Sequence, residues 1–160
     1  ALVRYDGNSY YVMTYSRRDV EDLFAIRRAL EALAAAQAAE RMAADEVAAL
    51  RDETQTGVED ISAGDTESLI SHDMAFHSKL AEASGNARLQ SLLDGLREQS
   101  WLVRRWGFLH RLVEYVEIMT VEEHLIILDR LAARDPDGAA QAMTEHLRKG
   151  EERTLEWLGL

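Results

Sequence analysis

Ser71-His72-Asp73-Met74-Ala75-Phe76-His77-Ser78-Lys79-Leu80 decides how the rest of the chain is read. Asp73 and His77 stand four residues apart in a segment with helical periodicity. That spacing puts a carboxylate and an imidazole on one helix face, one turn apart. Met74, Phe76 and Leu80 supply apolar neighbours, so the face is expected to be at least half buried, and a buried Asp and His need partners. His124 and His146 lie far along the chain in two other helical segments. One Asp and three His converging on a point would make a divalent-metal site. The spacing alone leaves a second reading open, in which one Asp–His hydrogen bond accompanies two unrelated surface histidines. His72 points to another helix face and His110 sits near a break, so neither is expected to bind metal.

Composition narrows the classes. With 160 residues and 47% hydrophobic content, one domain with one core is the default. Eighteen Lys and Arg against 29 Asp and Glu give a formal charge of −11. An acidic surface repels phosphate backbones, so this stretch is not expected to grip DNA by itself. The absence of cysteine excludes disulfides and thiolate metal sites. A metal would have to use His and carboxylate, ligands that suit Zn, Ni, Mn, Fe or Co. No apolar run reaches the roughly 18 residues of a membrane span, and no signal-peptide pattern opens the chain. The expected setting is cytoplasmic, and the initial Ala1 suggests a fragment. One proline, Pro136, and the dominance of Ala, Leu, Glu and Arg indicate an all-α fold.

Residues 1–15 differ from the rest. Leu2-Val3-Arg4 and Tyr10-Tyr11-Val12-Met13 flank Asp6-Gly7-Asn8-Ser9 and predict a short β-hairpin. Residues 16–160 read as helical throughout. Ser16 and Asp19 predict an N-cap for the first helix. Ten alanines between Ala32 and Ala49 imply close helix–helix approach, with a break near Ala43-Ala44-Asp45. A second helix is expected over about 45–60. Ala63-Gly64-Asp65 is expected to be a loop, with Asp65 as a possible cap. A third helix from about Thr66 to Ala83 carries Asp73 and His77. Gly85 stops it, and Asn86 can cap a fourth helix running from Ala87 to about Trp106, with a break at Gly107-Phe108-Leu109. The fifth helix holds His124. Asp135-Pro136 starts the last one, which carries His146 and continues toward Trp157.

Three other stretches carry possible chemistry. One of Arg27 and Arg28 is expected to turn inward beside Phe24, Ile26 and Leu30. There it would bind a carboxylate ligand or pair with a nearby Glu. Trp101-Leu102-Val103-Arg104-Arg105-Trp106 has too few basic residues for a nucleic-acid patch and fits a pocket wall or plain core and surface. Glu122-Glu123 before His124 reads as a solvated edge. A metal with an open position could also activate water, so a metal-dependent hydrolase or lyase is the alternative function. No short motif supplies a general base for it.

Taken in order, the residues resemble a known family. Arg27-x-x-Leu30-Glu31, Asp73-x-x-Phe76-His77, Ser84-Gly85-Asn86-x-x-Leu89, Glu123-His124-x-x-Ile127-Leu128, Asp135 and Met143-x-x-His146-Leu147 occur in sequence over about residues 17–150. This set resembles the FCD domain, the C-terminal ligand-binding domain of FadR-type regulators in the GntR family. The resemblance implies an antiparallel bundle of six or seven helices and metal ligation by Asp73, His77, His124 and His146. It implies a small organic acid, such as a sugar acid or metabolic carboxylate, beside the metal. Arg27 and Asn86 match cavity-facing positions, while Trp101 and Arg104 are candidates from helix position. Residues 1–15 resemble the wing hairpin and linker of a winged helix-turn-helix. The implied protein is a non-enzymatic transcriptional repressor and homodimer that meets operator DNA only through an N-terminal domain missing from this stretch.

Overall fold

The computed structural model describes the backbone of residues 3–5, 7–12, 15–62, 66–108 and 114–160. Two short strands, β1 (Val3–Tyr5) and β2 (Tyr10–Val12), pair antiparallel with Arg4 opposite Tyr11. Six helices follow: α1 (Arg17–Arg41), α2 (Ala44–Ser62), α3 (Thr66–Ala83), α4 (Ala87–Phe108), α5 (Glu114–Ala132) and α6 (Pro136–Leu158). The fold is an all-α bundle.

Local chemistry sets several helix boundaries. Ser16 caps α1 by accepting from Asp19 N, while the Asp19 carboxylate takes the Ser16 backbone N–H. These reciprocal bonds satisfy two of the donors that a helix start leaves open. Gly85 has φ +64°, a left-handed conformation that ends α3 without the Cβ clash another residue would meet. Asn86 Oδ1 then accepts from Leu89 N at 3.1 Å and starts α4. Asp135 does the same for α6, accepting from Gly138 N with Pro136 in the first turn. Helix α4 ends at Phe108, within the break expected over Gly107-Phe108-Leu109. The expected loop and cap at Ala63-Gly64-Asp65, and His110, lie outside the described residues.

Helix α1 is the centre of the packing. It lies against α6 along much of its length and also meets α3, α4 and α5; α2 bridges α3 and α5. Its C-terminal half buries Ala34, Ala35, Ala38 and Ala39. These small side chains let neighbouring helices come close, as the alanine-rich sequence implies. The main core joins Val20, Leu23 and Phe24 to Phe76, Leu80, Ile127, Leu128, Met143 and Leu147. Burying such side chains contributes on the order of 1.5–3 kcal/mol each. Polar groups can be held within this core only if they satisfy one another.

Candidate metal centre

Three helices deliver the polar cluster. On α3, Phe76, His77 and Leu80 are buried along with Asp73, the one-turn pair expected from the sequence. On α5, His124 shares the inner face with Ile127, Leu128 and Leu131. On α6, His146 follows Ala139 and Met143 at helical spacing. Asp73, His77, His124 and His146 are 3–7% exposed. Each offers one ligand atom, and those atoms all lie within 4.8 Å of one another. His124 Nε2 lies 3.5 Å and His77 Nε2 3.8 Å from Asp73 Oδ1. His146 Nε2 is 3.2 Å from His77 Nε2. The Phe76 ring stacks on His124 with centroids 3.9 Å apart and planes 10° from parallel, fixing the plane of that imidazole. His72, one residue before Asp73, is half-buried and outside the cluster.

Two carboxylates enclose the cluster. Glu31 Oε2 of α1 lies 2.5 Å from His77 Nδ1, and Glu123 Oε2 of α5 lies 2.8 Å from His146 Nδ1. Each is held by an arginine. Arg27 Nε donates to Glu31 Oε1 at 2.6 Å, one turn earlier on α1. Arg153 donates to both Glu123 oxygens, at 2.8 and 2.9 Å. Glu122 is exposed, whereas Glu123 is buried. The solvated-edge reading therefore holds for one glutamate and is corrected for the other. Arg27 is the inward arginine; Arg28 is partly buried and pairs with Glu151 across the α1–α6 interface. The pairing of the inward arginine with a nearby Glu, one of the two readings the sequence left open, is the Arg27–Glu31 contact, whereas nothing in the sequence pointed to Arg153.

The donor set fits a divalent cation. Three buried carboxylates (Asp73, Glu31 and Glu123) face two guanidiniums, Arg27 and Arg153. The Lys149 ammonium adds a third cation, 3.8 Å from Glu123 Oε1. His77 and His146 each turn Nδ1 to a carboxylate and Nε2 to the other imidazole. Two Nε2 lone pairs 3.2 Å apart repel unless a proton or a metal ion sits between them. Without metal, the proton takes that place on His77. Burial opposes its charge, but the Glu31 and Asp73 carboxylates outweigh burial and push the pKa up to about 9. Burial holds His146 below its usual range, with the charge on His77 adding to the effect and Glu123 opposing it. Burial also works against ionised Glu31 and Glu123. Arg27 and His77 nevertheless hold Glu31 at about 2, and Arg153 and His146 hold Glu123 there.

Two openings flank the cluster. One, of about 300 Å³ including solvent at its mouth, lies between α1 and α6. Its lining includes Phe24, Arg27, His146, Arg153 and Trp157. The other, of about 250 Å³ again counting open solvent, is lined by Arg27, Glu31, His77, Ala81, Leu93, Leu96 and Arg97, and the enclosed room is about 20 Å³ in the first and 10 Å³ in the second. Arg27 is common to both. Asn86 spends its Oδ1 on capping α4 and lines neither of these two openings. Trp101 is half-buried on α4 and likewise lines neither, and the Arg104 side chain lies outside the described residues.

Comparison with known proteins agrees with this architecture. The FCD domain family matches residues 22–149, most of the chain, and the chain belongs to that family. It is an effector-binding regulatory domain of the FadR type. Among solved structures, E. coli McbR/YncC superposes with a TM-score of 0.87 at 17% identity, over 96% of this chain and 77% of that one. Streptococcus agalactiae GntR gives 0.70 at 23% identity, over 94% and 74%. At these identities the likeness concerns the fold. No curated protein matches the chain. Among the described residues, no helix is long and apolar enough to cross a membrane.

Proposed function

We propose that the chain senses a small organic acid through a divalent metal held by Asp73, His77, His124 and His146, and so controls DNA binding by a GntR-type regulator. The observation that carries this reading is the convergence of four buried ligand atoms within 4.8 Å, drawn from three helices. Three imidazoles and a carboxylate suit Zn, Ni, Mn or Fe, and a metal bound there would act as a Lewis acid toward ligand oxygens. A divalent ion there would leave the cluster with net positive charge. That positive charge favours an anionic effector such as an organic acid. Arg27 borders both openings and is the residue of this reading best placed to meet that acid's carboxylate.

Binding is favoured over turnover. Glu31 and Glu123 are the glutamates nearest the cluster, and each is already tied to an imidazole and an arginine. Neither is poised as a general base for a hydrolase or lyase. Residues 1–15 are read as wing and linker, and residues 16–160 as the sensing domain. Operator DNA would be met by a preceding domain, in a cytoplasmic homodimer whose two reading heads span a palindrome. The acid can alter head spacing only through different affinity for the two arrangements.

Metal titration followed by a thermal-shift panel of sugar acids and metabolic carboxylates tests this reading. The expected result is stoichiometric metal uptake, and an acid-induced stabilisation that requires metal and is lost in Arg27→Ala. Acid shifts of equal size with and without metal would break the proposed link. Product formation from any panel member would move the reading to an enzyme.

A further inference from the structure

We infer that Glu31 and Glu123 are paired positioning residues. Each, held by its arginine, fixes one imidazole so that His77 and His146 present Nε2 to the same cation. The inference rests on the metal reading above and extends it to residues outside the four ligands.

The same order of groups recurs on two walls of the site, with a hydrogen bond between carboxylate and imidazole on one and a close ion-pair contact on the other. In one relay, Arg27 Nε meets Glu31 Oε1 at 2.6 Å, and Glu31 Oε2 meets His77 Nδ1 at 2.5 Å. In the other, Arg153 grips both oxygens of Glu123, and Glu123 Oε2 meets His146 Nδ1 at 2.8 Å. A carboxylate on Nδ1 keeps the proton on that nitrogen. It thereby fixes the tautomer, locks the ring about its Cβ–Cγ bond and raises the basicity of Nε2. The arginines have a separate task. Each carboxylate has only about one-twentieth of its surface exposed, and its guanidinium fixes the orientation it presents to the imidazole.

The two glutamates approach from α1 and α5, while the imidazoles they address are on α3 and α6. Four helices are thus committed to the orientation of two rings. Core packing alone has no use for this arrangement. Filling the same space with apolar side chains would avoid the desolvation of three carboxylates and two guanidiniums.

Calorimetric titration of Zn(II) into the wild-type chain comes first. Failure of uptake there would overturn the metal centre and the relays together. With uptake established, Glu31→Gln and Glu123→Gln are each expected to weaken Zn(II) binding about tenfold to a hundredfold. In a His77→Gln background, Glu31→Gln should add no further loss, and Glu123→Gln should add none to His146→Gln, because each carboxylate acts through its own ring. Unchanged affinity in both glutamine variants, or losses that add to those of the histidine variants, would overturn the relays and leave the metal centre standing. Should the variants fail to fold, the wild type carries the test. Nitrogen-15 histidine spectra of the Zn(II)-loaded chain should show protonated Nδ1 and metal-bound Nε2 at both His77 and His146. Coordination through Nδ1 at either residue would overturn the inference.

Discussion

The two halves of α1 bury side chains of opposite character. The N-terminal part, as far as Glu31, carries Arg27 and Glu31 inward, 6% and 5% exposed, beside Val20 and Phe24. The second buries only Ala34, Ala35, Ala38 and Ala39, at 2% exposure or less. Both halves are inner faces of one helix, yet they impose different demands on their surroundings. The alanine half asks its neighbours only to fit. The charged half needs partners of particular chemistry: Arg27 and Glu31 meet each other, and Glu31 also meets His77 of α3. A demand of the second kind costs desolvation energy, and its presence beside the histidine cluster marks where the domain does more than fold.

Substitutions in the two halves should separate these demands. Glu31→Ala has the largest expected effect: it leaves the buried Arg27 guanidinium without its carboxylate and should destabilise the metal-free chain by about 3–5 kcal/mol in urea melts. A loss under 1 kcal/mol would mean that the charged half packs like the other. Metal loading comes next. Free metal at about a thousand times its Kd should stabilise the wild type by about 4 kcal/mol, and Glu31→Ala should forfeit much of that gain. Ala38→Leu should cost about 1–3 kcal/mol by overpacking, by the same amount with and without metal.

The smaller effects concern pH and the helix end. In the metal-free chain the pKa of His77 is raised from its ordinary value near 6.5 to about 9. That shift stabilises the fold fully below about 6.5, and the contribution is lost as pH rises through about 9. Denaturant midpoints of the metal-free chain should therefore fall over that window. Those of the metal-loaded chain should not, because a ligating imidazole is already neutral. Asp135→Ala removes the α6 cap and should cost about 1 kcal/mol whatever the metal content.

Local signals in the sequence were enough for the helix ends. Ser16 with Asp19, Gly85 with Asn86, and Asp135 with Pro136 each act within four residues. The Asp73–His77 face was legible for the same reason. That His124 and His146 join it is a matter of tertiary packing, which the spacing left open and the ordered family pattern favoured. Glu123 was misjudged because two adjacent glutamates look alike in sequence. They differ by about 100° around α5, and that phase puts one in water and the other on His146. Arg153 gave no signal, since its role exists only once α6 lies beside α5. Asn86, expected to face the cavity, spends its carbonyl oxygen on a backbone amide that any helix start must satisfy.

His77 and His146 are 69 residues apart in sequence and 3.2 Å apart at their Nε2 atoms. An ion shared between them would close that length of chain into a ring, as a disulfide does in proteins that have cysteine. Ring closure of this kind restricts the unfolded chain, so holding the ion also guards against unravelling. The knot can be untied: a chelator or a drop in metal supply would loosen the domain without any bond being reduced or cut. Cellular metal status would then set the lifetime of the folded sensor.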